Sequence, residues 1–241
     1  RSSRPCLGAR SLVVGDVHGC LGELKELLLR VALRRECGDR VFFVGDVIAK
    51  GPQPLETFHL VRAMLSRLPG SELVLGNHEA GVLRWLGINV ATQRGTTRRN
   101  ISRANRELAA QLSDDDVSWL SGRPYFVRLA EYKAVVVHAG MWPGVSFKDQ
   151  AGEHMLHMRS LDVHGRPHSE PGRGPWAAYW EGPEHLIFGH DARRGLQLYP
   201  LATGLDTACV YGGNLTGVVL PQRAIVQVHS RKLWCVPADR S

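Results

Sequence analysis

Five short segments of this 241-residue chain place carboxylate, amide and imidazole side chains directly after apolar runs. They are Gly15-Asp16-Val17-His18-Gly19, Gly45-Asp46, Gly76-Asn77-His78-Glu79, His138-Ala139-Gly140 and Gly189-His190. Each Gly-Asp pair alone is ordinary turn chemistry, and a single His after a strand is usually structural. Five in series are different. In open α/β sheets ligands gather beyond the carboxyl ends of the strands. Asp16, His18, Asp46, Asn77, His138 and His190 then face one crevice as a two-metal centre.

The donor types narrow the metal. Carboxylates and imidazoles without thiolates suit manganese, iron, zinc or cobalt over calcium or magnesium, and argue against structural zinc. Asp16 and His18 are two apart and can bind one ion. Asp46 ends the next strand and can bridge both. Asn77, His138 and His190 complete the second. Such a pair of ions, roughly 3.5–4 Å apart, clamps an in-line phosphoryl displacement and brings the pKa of a bridging water towards neutrality. His78 cannot easily share an ion with Asn77 beside it, so it reads as the general acid for the leaving oxygen. Lys50 reads either as a cation for the phosphate or as a solvated lysine beside a turn.

The apolar runs at 12–14, 41–44, 73–75, 134–137 and 186–188 must form the strands that carry these loops. Between the first three, apolar spacing of 3.6 predicts helices from Leu21 to about Leu33 and from Pro54 to about Leu68. Strand–helix–strand units of this size imply parallel strands with right-handed crossovers. From 79 to about 122 the pattern turns helical and loses strands, a helical insert over the crevice. A short helix is expected around Leu83, Trp85 and Leu86. Another starts at Asp114-Asp115-Asp116 after Ser113, where acidic residues complement the helix dipole. The arginines between them (Arg94, Arg98, Arg99, Arg103, Arg106) are a solvated face or a substrate surface. Residues 165–180, rich in Gly and Pro, read as a loop. The runs at 186–188, 218–220 and 224–228 suit a second sheet packed on the first. With no repeat and no linker, residues 1–241 read as a single domain.

Composition sets broader bounds. At 44 % hydrophobic the chain can bury a large core. No apolar run approaches the roughly 20 residues of a membrane span. The chain opens on Arg1 rather than Met, which reads as a processed or excised form. Its five cysteines, without CxxC spacing, fit reduced thiols in a cytoplasmic protein better than a disulfide framework. The net charge of +7 favours polyanionic substrates such as nucleotides or RNA.

The motifs GDVHG, GDVIAKGP, GNHE, HAG and GHD together resemble the phosphoprotein-phosphatase superfamily of calcineurin-like metallophosphoesterases. The likeness runs from residue 12 to about 220. It implies an α/β fold of two β-sheets flanked by helices, a dinuclear metal site, and the ligand and acid roles given above. Within the superfamily the chain is similar to the ApaH branch, the symmetrical diadenosine tetraphosphate hydrolases and the related ApaH-like phosphatases. That likeness rests on Leu205-Asp206-Thr207-Ala208-Cys209 with Gly212-Gly213-Asn214-Leu215-Thr216, on Met158-Arg159, and on Pro175-Trp176.

Ala49 stands where eukaryotic protein phosphatases carry an Asp that orients the acid His, and Lys50 stands for the following Arg. Lysine keeps the charge but loses the bidentate fork, so Arg159 is expected to share phosphate binding. Gly189-His190-Asp191 departs from the GHW of bacterial ApaH. The expected substrate is a nucleotide polyphosphate such as diadenosine tetraphosphate, or a 5′-polyphosphate or capped RNA end. A leaving phosphate needs less protonation than a serine alkoxide, which suits a site without that Asp. The rival readings are a serine/threonine protein phosphatase and a non-catalytic RNA- or partner-binding protein that keeps the fold.

Overall fold

A computed structural model describes residues 5–6, 8–90, 94–95, 101–170 and 174–236. The chain opens with β1 (Ser11–Val14), α1 (Leu21–Val31), β2 (Arg40–Phe43), α2 (Pro54–Arg67), β3 (Glu72–Leu73) and α3 (Asn77–Trp85). Both crossover helices end about where their periodicity does, α1 at a left-handed Ala32 and α2 before the turn at Pro69. α3 starts at Asn77, so the third ligand segment is itself the first turn of a helix. The insert continues with a two-residue ladder of β4 (Ile88–Asn89) and β5 (Arg94–Gly95), where no strand is expected from the sequence. It then adds α4 (Arg103–Ala109) and α5 (Asp114–Ser121). Ser113 caps α5 as its acidic first turn predicts. Arg98 and Arg99 lie outside the described residues, as does the side chain of Arg94.

The second half contains β6 (Phe126–Leu129), β7 (Ala134–Val137), α6 (Gly152–His157), β8 (Ser160–Leu161), β9 (Pro167–His168) and β10 (Gly174–Pro175). It goes on to β11 (His185–Phe188), β12 (Gln197–Tyr199), β13 (Ala202–Gly204), β14 (Asn214–Leu220) and β15 (Ala224–His229). The described residues of 165–180 are not all loop: β9 and β10 flank β8 in a small sheet, and a 3-10 turn spans Trp176–Tyr179.

Two five-stranded sheets dominate, in the orders β15-β14-β1-β2-β3 and β12-β13-β11-β7-β6. β1, β2 and β3 are parallel, as are β7, β11 and β13. The sequence places β14 and β15 with β11 in the second sheet, and the structure corrects this. β14 runs antiparallel along β1 and extends the first sheet. Its apolar run matches either partner locally, and only the tertiary fold chooses.

Alternation along each strand builds three layers of core. Val13, Phe42 and Val44 face Val136 and Ile187 between the sheets. Leu12, Val14 and Phe43 face the other way, onto Leu24 and Leu27 of α1 and Phe58 of α2. Val135, Val137 and Phe188 meet Met141, Met158 and Trp176 on the far side. Strands buried on both faces read as continuous apolar runs, which is why these five are visible in the sequence.

Cys6 and Cys37 form a disulfide with their Cα atoms 5.4 Å apart, which corrects the reading of five reduced thiols. The two are 31 residues apart in sequence, a pairing that no local spacing announces. Cysteine usage therefore gives no argument for a reducing compartment. No helix among the described residues is long and apolar enough to cross a membrane.

Candidate metal centre and active site

The carboxyl ends of β1, β2 and β3 in one sheet and of β7 and β11 in the other open onto one cleft of about 620 Å3. Asp46, 3 % exposed at its side chain, sits at the centre of it. Its Oδ2 lies 3.6 Å from His18 Nε2 and 4.0 Å from His78 Nε2, while Oδ1 lies 3.6 Å from His138 Nε2. Two ligating groups thus share Asp46: one with His18 and His78, the other with His138 and His190. A single carboxylate reaching both groups is the arrangement a bridging ligand needs.

Asn77 Oδ1 lies 2.9 Å from His138 Nε2 and 3.0 Å from His190 Nδ1; His138 Nδ1 donates to the Val44 carbonyl (2.8 Å), so the neutral ring turns a bare Nε2 towards the amide oxygen. Asp16 belongs to neither group of three; both its oxygens accept the His190 N–H, at 3.1 Å each. It thereby ties the end of β1 to the loop after β11. A β-carbon at Gly189 would overlap Asp16 Oδ1, so the close approach of the two sheets at the site depends on that glycine. His78 falls within ligating reach of His18 and Asp46, closer to the metal groups than its role as acid alone suggests.

These residues fit divalent ions. The Asn77 oxygen and the bare Nε2 of His138 meet at 2.9 Å as two lone pairs, a repulsion that a cation between them would remove. Burial drives the pKa of His18 and His190 well below the ordinary imidazole value and that of His138 below it, favouring the neutral form that ligates. For Asp46 burial works against ionisation, but the surrounding His138, His78 and His18 hold its carboxyl well below the usual range. Asp16 goes the other way, raised by burial and by the nearby Asp206 and Asp46. Excess negative charge around Asp16 is what a cation would neutralise.

The backbone is strained at the same place. His18, Asp46, Ala49, Lys50 and His190 all adopt left-handed φ between 45° and 74°. Non-glycine residues there cost of order 1–3 kcal/mol each and cluster at functional sites. The Asp46 loop is held in this shape by Glu79, whose Oε2 accepts the N–H groups of Asp46 (2.9 Å) and Gly76 (3.1 Å). Its Oε1 accepts those of Val47 (2.9 Å) and Ile48 (3.2 Å). Burial and the nearby Asp46 push the Glu79 acid up to about 8, against the pull of these backbone N–H groups.

Of the expected phosphate-binding cations, Lys50 lies deep in the cleft, its Nζ 3.2 Å from His18 Nε2 and 5.3 Å from the Tyr211 ring centre. Burial opposes its charge, but Asp46 and Tyr211 more than compensate and raise its pKa. Arg159 lines the same cleft; its guanidinium donates to the carbonyls of Ser169 (3.0 Å) and His190 (3.4 Å). Arg193, Asp206 and Tyr211 also line the cleft, and residue spacing alone gave them no role. Asp206, pushed up to about 6 by burial, comes from the LDT segment after β13. Asp191, which follows His190, pairs with Arg194, and Arg194 donates to the Arg159 carbonyl (3.3 Å).

Ala49 is a buried methyl group and offers His78 no carboxylate. The only side chain of the insert that reaches the ring is Asn105 of α4 among the described residues, with Nδ2 3.3 Å from His78 Nδ1. Asn105 shares the buried face of α4 with Leu108 and Ala109, three and four residues on. An amide on an apolar stripe was the signal that could have found it.

Comparison with known proteins agrees with this architecture. A family model described as calcineurin-like phosphoesterase matches residues 9–199. The chain is 28 % identical to the asymmetrical bis(5′-nucleosyl)-tetraphosphatase PrpE of Halalkalibacterium halodurans, covering 91 % of this chain and 94 % of that protein. It is 27 % identical to the symmetrical bis(5′-nucleosyl)-tetraphosphatase of Aromatoleum aromaticum, over 91 % and 96 %. A solved structure described as "a putative diadenosine tetraphosphatase" superposes with a TM-score of 0.78 at 35 % identity, over 94 % of this chain and 96 % of that one. A protein serine/threonine phosphatase from Saccharomyces cerevisiae, 15 % identical, shares the fold alone (TM-score 0.60, over 93 % and 80 %).

Proposed function

The chain belongs to the calcineurin-like phosphoesterase family of metal-dependent phosphohydrolases, and from that premise we propose that it hydrolyses phosphoric anhydrides of nucleotide polyphosphates. Diadenosine tetraphosphate is the first candidate substrate, and 5′-polyphosphate or capped RNA ends offer the same bond. Asp16, His18 and Asp46 would hold one divalent ion; Asp46, Asn77, His138 and His190 would hold the other. Manganese suits this mixed oxygen and nitrogen set, with iron, zinc and cobalt as substitutes. When bound, two such ions supply Lewis acidity to phosphoryl oxygens and acidify the attacking water.

The side chains supply the rest. Lys50 and Arg159 bind the non-bridging oxygens, which adds positive charge where the transition state accumulates negative charge. His78 turns Nε2 towards the Asp46 side of the cleft and donates to the oxygen that leaves. The observation that carries the reading is Asp46 facing both histidine groups, with the Asn77 oxygen meeting the bare Nε2 of His138 beside them.

The substrate class follows from the acid. Ala49 offers no carboxylate to orient His78, and the nearby Asp46 carboxylate lies on the Nε2 side of the ring. An anhydride leaves as a phosphate whose oxygen holds its own charge, whereas a serine alkoxide must be protonated as it departs. The names of the relatives support the same class.

Incubation with Mn2+ or Co2+ and a panel of diadenosine tetraphosphate, capped RNA, nucleoside triphosphate and phosphoserine peptide tests this reading. Turnover of diadenosine tetraphosphate is expected to exceed that of the peptide. Two molecules of ADP would mark symmetrical cleavage, and ATP with AMP asymmetrical cleavage. Faster turnover of the peptide, or an inert panel, overturns the proposal.

A further inference from the structure

A second concavity lies away from the cleft. A cavity of about 760 Å3 opens between the C-terminal halves of α1 and α2, and none of its lining residues lines the cleft. The metal-site loops precede these two helices, so the cavity lies at their opposite ends. Leu28, Leu33, Leu60 and Met64 line it, each partly buried and packed on the core beneath. Leu29 of α1 stands beside them, 78 % exposed. Contiguous apolar surface rimmed by charge marks an interaction site.

The rim is basic. Lys25, Arg34, Arg35 and Arg67 line it against the one carboxylate of Glu36. Elsewhere arginines are held by carboxylates, as Arg10 is by Asp39, Arg62 by Asp116 and Arg123 by Glu72. Among the described residues no ion pair or hydrogen bond holds the side chains of Lys25, Arg35 or Arg67. The C-terminal ends of α1 and α2 contribute about half a negative charge each, too little to neutralise this rim.

We propose that this groove docks an acidic amphipathic helix of a partner protein, which would tether the enzyme without covering its cleft. Two helices side by side offer a groove that takes the apolar stripe of a third. Leu60, Met64 and Leu68 line it at intervals of four residues, a run of about 12 Å along α2. That length matches anchors at i, i+3 or i+4, and i+7. An extended peptide finds no strand edge to join there, since the walls are helices. A bilayer surface is flat and would leave the concavity unfilled. Carboxylates flanking the apolar stripe would meet Lys25, Arg35 and Arg67, and this complementarity sets the sign of the partner.

The test uses the whole chain labelled with 13C at its methionine methyl groups. Met64 lines the groove, whereas the other three methionines, Met141, Met155 and Met158, are buried on the far side of the fold. Three peptides of about 16 residues, roughly four helical turns, are titrated. One carries leucines at i, i+4 and i+7 flanked by glutamates; the second has lysines for the glutamates, and the third has serines for the leucines. The first is expected to shift the Met64 resonance and to bind with a Kd below about 100 µM, at least about tenfold tighter than the other two.

The combined variant Lys25→Glu, Arg35→Glu, Arg67→Glu should invert the preference between the first two peptides. Leu29→Asp should weaken the first by about tenfold or more. All four replaced side chains are exposed, so the circular dichroism melt of each variant should stay that of wild type. Equal binding of the acidic and basic peptides, or a Met64 resonance that no peptide moves, overturns the proposal. So does a Met64 resonance that vesicles containing phosphatidylserine move and the peptides do not. No turnover enters the measurement, so its outcome is independent of the substrate reading above.

Discussion

Replacing Glu79 with Gln removes no atoms from the core and leaves every metal-ligand candidate in place, yet it should be among the most damaging conservative changes in this chain. Each carboxylate oxygen of Glu79 accepts two backbone N–H groups, Asp46 and Gly76 on one, Val47 and Ile48 on the other. Whichever way the new amide is turned, its NH2 faces two donors and leaves both without an acceptor. All four bonds are buried, and an unsatisfied buried donor costs about 1–3 kcal/mol. Glu79→Gln should therefore destabilise by about 2–6 kcal/mol. For a chain of this size each kcal/mol lowers Tm by about 2–4 °C, so calorimetry should show a fall of roughly 5–20 °C.

The same loop aims Asp46, so titration calorimetry with Mn2+ should show affinity weakened by about 10- to 100-fold, as for other groups that orient ligands. A variant that melts within about 2 °C of wild type and binds Mn2+ equally well would refute the reasoning. In that case the left-handed Asp46 loop would owe its shape to something other than these four bonds.

Three further outcomes follow from the structure. Gly189→Ala pushes a methyl into Asp16 Oδ1 and against Val44, so Mn2+ affinity should fall by about tenfold or more while the circular dichroism of the fold persists; affinity within twofold of wild type would count against Asp16 as a ligand. Burial opposes the charge of Asp116, but Ser113 and Arg62 outweigh it and pull the carboxyl down to about 2. The folded pKa is depressed, so the contribution is complete above the unfolded value of 3.8 and disappears as pH falls through about 2. Urea melts should show Asp116→Asn weaker than wild type by about 1 kcal/mol at pH 5 and equal to it only about a pH unit below the folded pKa; a gap independent of pH would place the effect elsewhere. Alkylation of the unfolded, unreduced chain should label Cys20, Cys209 and Cys235 and spare Cys6 and Cys37, as mass spectrometry can read directly.

Much of this architecture was legible in the sequence because its strands are buried on both faces. Residues 134–137 and 186–188 could hardly be anything else. Gln197–Tyr199 and Ala202–Gly204 were not legible, since short strands containing Gln, Ala and Gly carry little β-propensity. The misplacement of β14 and β15 has another origin: a strand's residues show that it has a sheet, and only the rest of the fold shows which.

The candidate site divides in the same way. Asp16, His18, Asp46, Asn77, His138 and His190 stand at strand ends, where local pattern and chemistry coincide; His18, Asp46, Asn77 and His190 line one cleft, with His138 against Asn77 and Asp16 bonded to His190. Asn105 stands among arginines on a helix, and its meaning depends on a contact between α4 and α3 that no local pattern contains. Glu79 was visible as part of Gly76-Asn77-His78-Glu79, but what it does depends on four N–H groups, three of them about thirty residues upstream.

The pairing of β1 with β14 also bears on how the protein comes to exist. Ser11 lies opposite Leu220, about 200 residues later in the chain. At translation rates of about 5–20 residues per second, the outer edge of β1 waits roughly 10–40 s for its partner to be synthesised. In that interval the nascent chain presents an unpaired apolar strand edge, a template for association with other chains. Asp16 and His18 hang from the end of this same strand. A polypeptide stalled or truncated before residue 214 would leave both on an unsupported edge, so the metal centre waits on a strand made after all of its own ligands.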